Sequence, residues 1–282
     1  MYALRTAAHY GRSVCWISLM LAVCCPAAAA LRHTGVLTVA VYRDFAPFSQ
    51  SGASDDPGVD VALAHALASH LGLTLRLLPF DAGENMGDDL RNMVWRGDVL
   101  HYGPADVMLH VPVDRRFAAA NEQATVFAPY YRESLVLVHD TRVLPVVSSA
   151  ADLRGQSVAA EQGTAAASAL LGAQGGALRE QVKLTATPHA AMQLLLSGAA
   201  AGALVTCAQA EWALRSTPDR ARYRLSPLNL NGVPPAGWTV GMAVKADNVE
   251  LAEQLSAALE ALVHSGELRT IFAAAGLTLG SP

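Results

Sequence analysis

Apolar and polar positions along the chain follow two different periods. GVLTVAVY (35–42) is a nearly continuous apolar run, which predicts a strand buried on both faces. DFAPFSQSGASDDPGVD (44–60) is rich in Pro, Gly and Ser and reads as a loop. Val61, Leu63, Ala64, Leu67, Ala68 and Leu71 then recur at helical spacing. Gly72 is placed to end that helix, because glycine enters the left-handed region cheaply, and 73–78 reads as a second strand. Strand, helix and strand in this order predict a parallel pair joined by a right-handed crossover.

The same alternation continues. NMGDDLRNMVWRGDVL (85–100) is mainly helical, with Leu90, Met93, Val94 and Leu100 as candidates to face a sheet. ADVMLHV (105–111) is a short apolar strand that ends near charged residues, as an inner strand ends at a cleft. VFAPYYRESLVLVHD (126–140) reads as a loop followed by a strand at 134–139. A second α/β region begins with LRGQSVAAEQGTAAASALLG and continues through PHAAMQLLLSGAAAGALVTCAQAEWAL. WTVGMAVKAD (238–247) is a further strand, and 249–275 is a closing amphipathic helical segment broken at Gly266. The interruption at about 135–150 favours two open α/β lobes over one barrel. The segments near 134–140 and 238–245 are candidate connectors, which would bring the last helix back to the first lobe.

The first thirty residues are a separate object. Arg5, His9 and Arg12 precede the apolar run SVCWISLMLAVCC, and PAAAA supplies small residues, with cleavage expected after Ala30. This is the pattern of a secretory signal peptide. An uncleaved anchor and a lipoprotein, through Cys24 or Cys25, are the alternatives. Without 1–30 the formal charge moves from −4 to −6, because the segment holds Arg5 and Arg12 and no acidic residue. Such a balance disfavours nucleic acid as a partner. Of four cysteines only Cys207 lies outside the leader, so no internal disulfide is expected, which suits a bacterial periplasm. The chain is 52% hydrophobic but only 6% aromatic. A core of Ala, Leu and Val needs the close packing of helices on sheets.

Read together in order, LTVAVYRDFAPFS, VDVALAHALASHLGLTLRLLPF, ADVMLHVPVDRR, PYYRESLVLV, DLRGQSVAAEQGTAAASALL and AMQLLLSGAAAGALV resemble the type II periplasmic solute-binding proteins, and more narrowly their family 3. The basic helix before ADVML, then VP, then PYYRES resemble the branch found beside quinoprotein (methanol/alcohol) dehydrogenases. The resemblance implies an α/β, two-lobed fold with two crossover strands. Lobe 1 is expected at 31–137 plus 243–282, lobe 2 at 138–242, and the ligand between them.

It also implies candidate contacts. Phe45 and Phe48 would stack on an apolar part of the ligand, or plug their own loop. Asp60 would cap a helix start. Arg115 or Arg116 would grip an anionic group, since a planar guanidinium matches two carboxylate oxygens; the alternative is a surface pair. His110 is a ligand contact or a structural histidine. Tyr131 would pack at the hinge and cleft, and Arg132 would reach across the hinge or to an anion. Gly163 and Thr164 would offer helix-start N–H groups and a hydroxyl. Trp238 is placed for a hinge or cleft role. Amino-acid binders of the family carry an Asp in lobe 2 for the ligand ammonium, whereas the comparable places here hold Gly202 and Cys207. A standard amino acid therefore needs Glu161, Asp44 or Glu211 as a substitute.

The scattered histidines, with no HxxxH, CxxC or GxSxG, give no support to a metal centre or a catalytic triad. No cofactor is expected. The resulting expectation is a non-enzymatic, monomeric periplasmic protein that binds a small polar, anionic solute and presents it to an ABC transporter permease. The alternative is an accessory protein for a periplasmic quinoprotein dehydrogenase.

Overall fold

The computed structural model describes residues 30–50, 56–98, 100 and 102–280. The expected signal peptide, apart from Ala30, lies outside the described residues. Two five-stranded sheets carry the architecture. The first is built from β1 (Val36–Tyr42), β2 (Thr74–Phe80), β3 (Val107–Pro112), β4 (Ala124–Glu133) and β10 (Trp238–Lys245), in the order β2-β1-β3-β10-β4. The second is built from β5 (Leu135–Asp140), β6 (Val158–Glu161), β7 (Val182–Thr185), β8 (Gly202–Thr206) and β9 (Tyr223–Pro227), in the order β7-β6-β8-β5-β9.

The expected parallel pair is β1 with β2, joined by α1 (Val59–His70). Helices α4 (Ala165–Gly172), α5 (Pro188–Leu196) and α6 (Cys207–Leu214) belong to the second sheet's crossovers. The closing segment forms α7 (Val249–Ser265) and α8 (Glu267–Ala274), separated by left-handed Gly266. Leu251, Leu255, Leu259, Leu262, Leu268 and Phe272 bury against Val39 and Leu63, so the chain end packs on the first sheet. The sheets exchange chain at Ser134 and between β9 and β10. The lobe boundaries expected at 137/138 and 242/243 lie a few residues inside β5 and β10.

Two local readings change. The segment 126–133, read as a loop, is part of the long strand β4. It is an edge strand, where Pro129 withholds no ladder bond that the sheet needs. Ladder partners step from Val240↔Tyr131 to Met242↔Phe127, so β4 bulges there, with Ala128 at φ 49. Gly241 lies beneath the bulge; a Cβ on it would sit 2.5 Å from the Phe127 carbonyl oxygen. The helix read over 85–100 is instead α2 (Met86–Leu90) running into a π-helical turn, Arg91–Trp95. Leu90, Met93 and Val94 are buried as expected, but Leu100 is 83% exposed because the chain has already left the helix.

Candidate functional site

The carboxyl ends of β1, β3, β6 and β8 face a common gap between the sheets, the place where open α/β sheets bind ligands. The gap holds a cavity of about 260 Å³. Phe45, His110 and Trp238 line it from the first lobe, and Glu161, Thr164 and Thr206 from the second. A further cavity of about 380 Å³ lies alongside, bordered by Asp44, His189 and Trp212. Phe45, Glu161, Pro188 and Gln209 border both, so they form the partition of one divided cleft.

His110 is held by a buried network. Its backbone N–H donates to the Tyr130 hydroxyl at 3.0 Å, and that hydroxyl donates to Asp60 Oδ1 at 2.7 Å. Asp60 Oδ2 lies 3.2 Å from His110 Nδ1. Asp60, in the first turn of α1, thus ties the β3 end to β4 through both carboxylate oxygens. Burial, followed by the Asp60 charge, pushes the Tyr130 hydroxyl well above its ordinary pKa, so it stays a proton donor. His110 is one of four non-glycine residues with positive φ (60°) among the described residues. Strained backbone of this kind persists where surrounding contacts over-determine it.

Behind the cleft wall, Phe48 is buried with its ring centroid 4.2 Å from His110 and 5.8 Å from Tyr131. Phe45 stacks on Phe48 at 5.5 Å and meets His110 edge-on at 4.9 Å. Phe45 is thus a cleft residue, whereas Phe48 and Tyr131 support it from the core. In the second lobe Thr164 caps α4 by accepting from Ala167 N–H at 3.2 Å, while its hydroxyl donates to the Glu161 carbonyl at 2.7 Å. Thr206 and Gln209 form a reciprocal cap on α6.

Glu133 lies at the first crossover, lines the cavity and is 1% exposed. Burial raises its carboxyl pKa to about 7, against hydrogen bonds from Ser134 and Ala208 N–H and the Thr206 hydroxyl that favour the ionised form. Glu161, the last residue of β6, is also shifted upward by burial. Among the described residues no Lys or Arg borders the 260 Å³ cavity.

Phe45, His110 and Thr164 are thus brought together from the sequence-derived candidates, with Trp238. Arg115 and Arg116 are not. Strand β3 ends at Pro112, and Asp114 caps helix α3 (Arg115–Ala120) through the N–H groups of Arg116 and Phe117, both at 2.9 Å. The two arginines occupy its exposed first turn and border neither cavity. Gly163 is an exposed turn residue at φ +80°. Arg132 is exposed and reaches the Ala236 carbonyl at 3.4 Å, linking the two crossovers. Of the acids expected to substitute for the family Asp, Glu161 lines the cleft and Asp44 its second cavity. Glu211 instead accepts from Thr278 N–H at 2.7 Å. Among the described residues no cluster of three or more metal-ligating side chains occurs.

The lobes are tied at the cleft edge. Arg215 pairs with Asp56 at 2.8 Å, and its guanidinium lies 4.6 Å above the Trp212 ring. Ala208 and Trp212 of α6 join the first lobe's core.

No family model and no curated protein sequence matches the chain. Solved structures do. One is an amino-acid ABC transporter substrate-binding protein from Streptococcus pneumoniae bound to L-arginine: TM-score 0.60, 23% identity, 86% of this chain and 94% of the other. Another is the GluR0 ligand-binding core with L-glutamate: TM-score 0.61, 18% identity, 90% of this chain and 100% of the other. A histidine kinase sensor domain similar to periplasmic binding proteins also matches, with TM-score 0.60, 22% identity, and coverage of 88% and 98%. The chain has the type II periplasmic-binding-protein fold. In that fold the divided cleft lies between the lobes. None of these three structures is a dehydrogenase accessory protein, so the narrower branch is not shown. No helix among the described residues is long and apolar enough to cross a membrane.

Proposed function

We propose that this chain is a periplasmic binding protein that captures a small solute between its lobes and delivers it to an ABC transporter. The carrying observation is the cavity at the carboxyl ends of strands from both sheets, lined by polar groups set in a mostly apolar wall. Phe45 and Trp238 would cover the apolar body of the solute. His110, Glu133, Glu161 and Thr164 would meet its polar end. The lobes would close about the crossovers at Ser134 and before Trp238. The amino-acid ligands of the similar folds support the transport reading. They do not carry over as ligands, because no guanidinium of the described residues borders the cavity to grip a carboxylate. The anionic preference expected from Arg115 or Arg116 finds no support in a lining that holds two glutamates.

Closure gives the test. The protein lacking 1–30 is screened by thermal shift against amines, amino acids, alcohols and carboxylates, and each stabilising compound is examined by small-angle scattering. Ligand binding to the folded state raises Tm by mass action, and closure shrinks the radius of gyration. If no class raises Tm and the scattering never changes, the capture reading fails.

A further inference from the structure

We propose that the cleft selects an organic cation, an ammonium group on a compact apolar body with no carboxylate. The proposal rests on the capture reading and names its ligand class. Most of the groups that could meet a ligand's polar end are acceptors, the Gln209 amide N–H group being a donor beside them. Asp60 Oδ2 lies 3.2 Å from His110 Nδ1 and is buried, with Asp60 bonded to Tyr130 besides, so Asp60 is the acceptor for the ring's Nδ1–H. In the neutral ring that contact leaves Nε2, on a ring lining the cavity, as a lone-pair acceptor. Glu133 and Glu161 add carboxylates. The Thr164 hydroxyl is already committed as a donor to the Glu161 carbonyl. Phe45 and Trp238 supply aromatic faces, which attract cations through the ring quadrupole.

A carboxylate in the same place would face two glutamates, with no lysine or arginine among the described lining residues. A neutral alcohol could use only part of the acceptor set. An ammonium donor satisfies several acceptors at once and offsets the burial of Glu133, which carries its charge in an enclosed site. The titratable groups coupled to Glu133 among the described residues are His110 on β3, whose charge favours the ionised carboxylate, Tyr131 on its own strand, and Cys207 on α6. None of these is a lysine or arginine that already neutralises it.

The experiment uses one carbon skeleton with different heads: isoamylamine, isoamyl alcohol and isovalerate, with L-leucine as the amino acid. Affinities are measured by calorimetry at pH 8 on the protein lacking 1–30. The amine is expected to bind at least about tenfold tighter than the alcohol, a gap of about 1.4 kcal/mol. Glu133→Gln and Glu161→Gln should each weaken the amine about tenfold or more, and by more than they weaken the alcohol. Repeating the titration at pH 7 in two buffers of different ionisation enthalpy should show a fraction of a proton released per amine bound, and Glu133→Gln should abolish that release. A merely structural Glu133 would not produce this signature. Tighter binding of the alcohol, isovalerate or leucine, with closure seen in scattering, overturns the cation class while leaving capture standing. Amine binding that both glutamine variants retain also overturns it. Failure of all four probes to bind overturns it too, and the broader library then decides the fate of the capture reading.

Discussion

Gly237 lies in the turn that opens β10, and its replacement by alanine gives a sharp test of the crossover geometry. Its N–H donates to the Pro234 carbonyl at 2.9 Å, and its φ is +71°. A Cβ built there would lie 1.9 Å from the Glu133 carbonyl oxygen and 3.0 Å from Ser134 Cβ. The obstructing atom is backbone, and it cannot swing aside as a side chain would. It is fixed by the ladder pairing Trp238 with Glu133. Two costs follow. Left-handed backbone costs an L-residue roughly 1–2 kcal/mol. Forcing the strands apart adds an overpacking cost of about 1–3 kcal/mol. Gly237→Ala should therefore destabilise by about 2–5 kcal/mol. Gly155 is the control, at φ +75° with no heavy atom within 4 Å of a built Cβ. Gly155→Ala should show the backbone part alone, roughly 1–2 kcal/mol. Urea titrations at one pH measure both, with the slopes compared to confirm that the same surface is exposed. Equal losses in the two variants would refute the claim that the crossovers touch at Gly237.

Further outcomes follow from the site. With a folded pKa of about 7 against an ordinary 4.5, Glu133 destabilises the fold as it ionises. The penalty is absent below about pH 4.5, grows as pH rises, and is complete above pH 7, at roughly 3 kcal/mol. Comparing the pH dependence of unfolding in Glu133→Gln and the parent should show a relative gain for the variant at pH 8 that vanishes at pH 4; a constant difference would contradict the assignment. Asp60→Ala strips partners from a buried tyrosine hydroxyl and an imidazole and should cost about 3 kcal/mol in urea titration; a loss under about 0.5 kcal/mol would show that the network contributes nothing. Changing Arg115 and Arg116 together to alanine should leave the affinity for any captured solute within about twofold at physiological salt, since exposed charges outside the cleft are screened; a tenfold loss would return them to the site.

The elements were legible where apolar runs were long and cleanly bounded. Val36–Tyr42, the α1 face from Val61 to Leu67, and the strand that carries His110 could each be read from spacing, because burial on one or both faces imposes its own period. Phe45 was named as a cleft candidate through the family resemblance, and Thr164 and Trp238 also through their places at the start of α4 and β10. Glu133 was missed, and the reason is instructive. Reading 126–133 as a loop discarded the period of two that places Tyr131 and Glu133 inward and Arg132 outward. Pro129 is accommodated in a strand there by the edge position of β4 and the bulge opposite Gly241.

The sequence by itself determined that two α/β regions would form, since strand and helix periods are local consequences of which side chains must leave water. Tertiary structure alone decided which strands share a sheet, and with it where each charge falls. The cap at Asp114 turns Arg115 and Arg116 onto the surface, while the crossing of β4 and β10 draws Glu133 into the gap. Local spacing cannot encode such outcomes, because a charge's surroundings are set by elements remote along the chain.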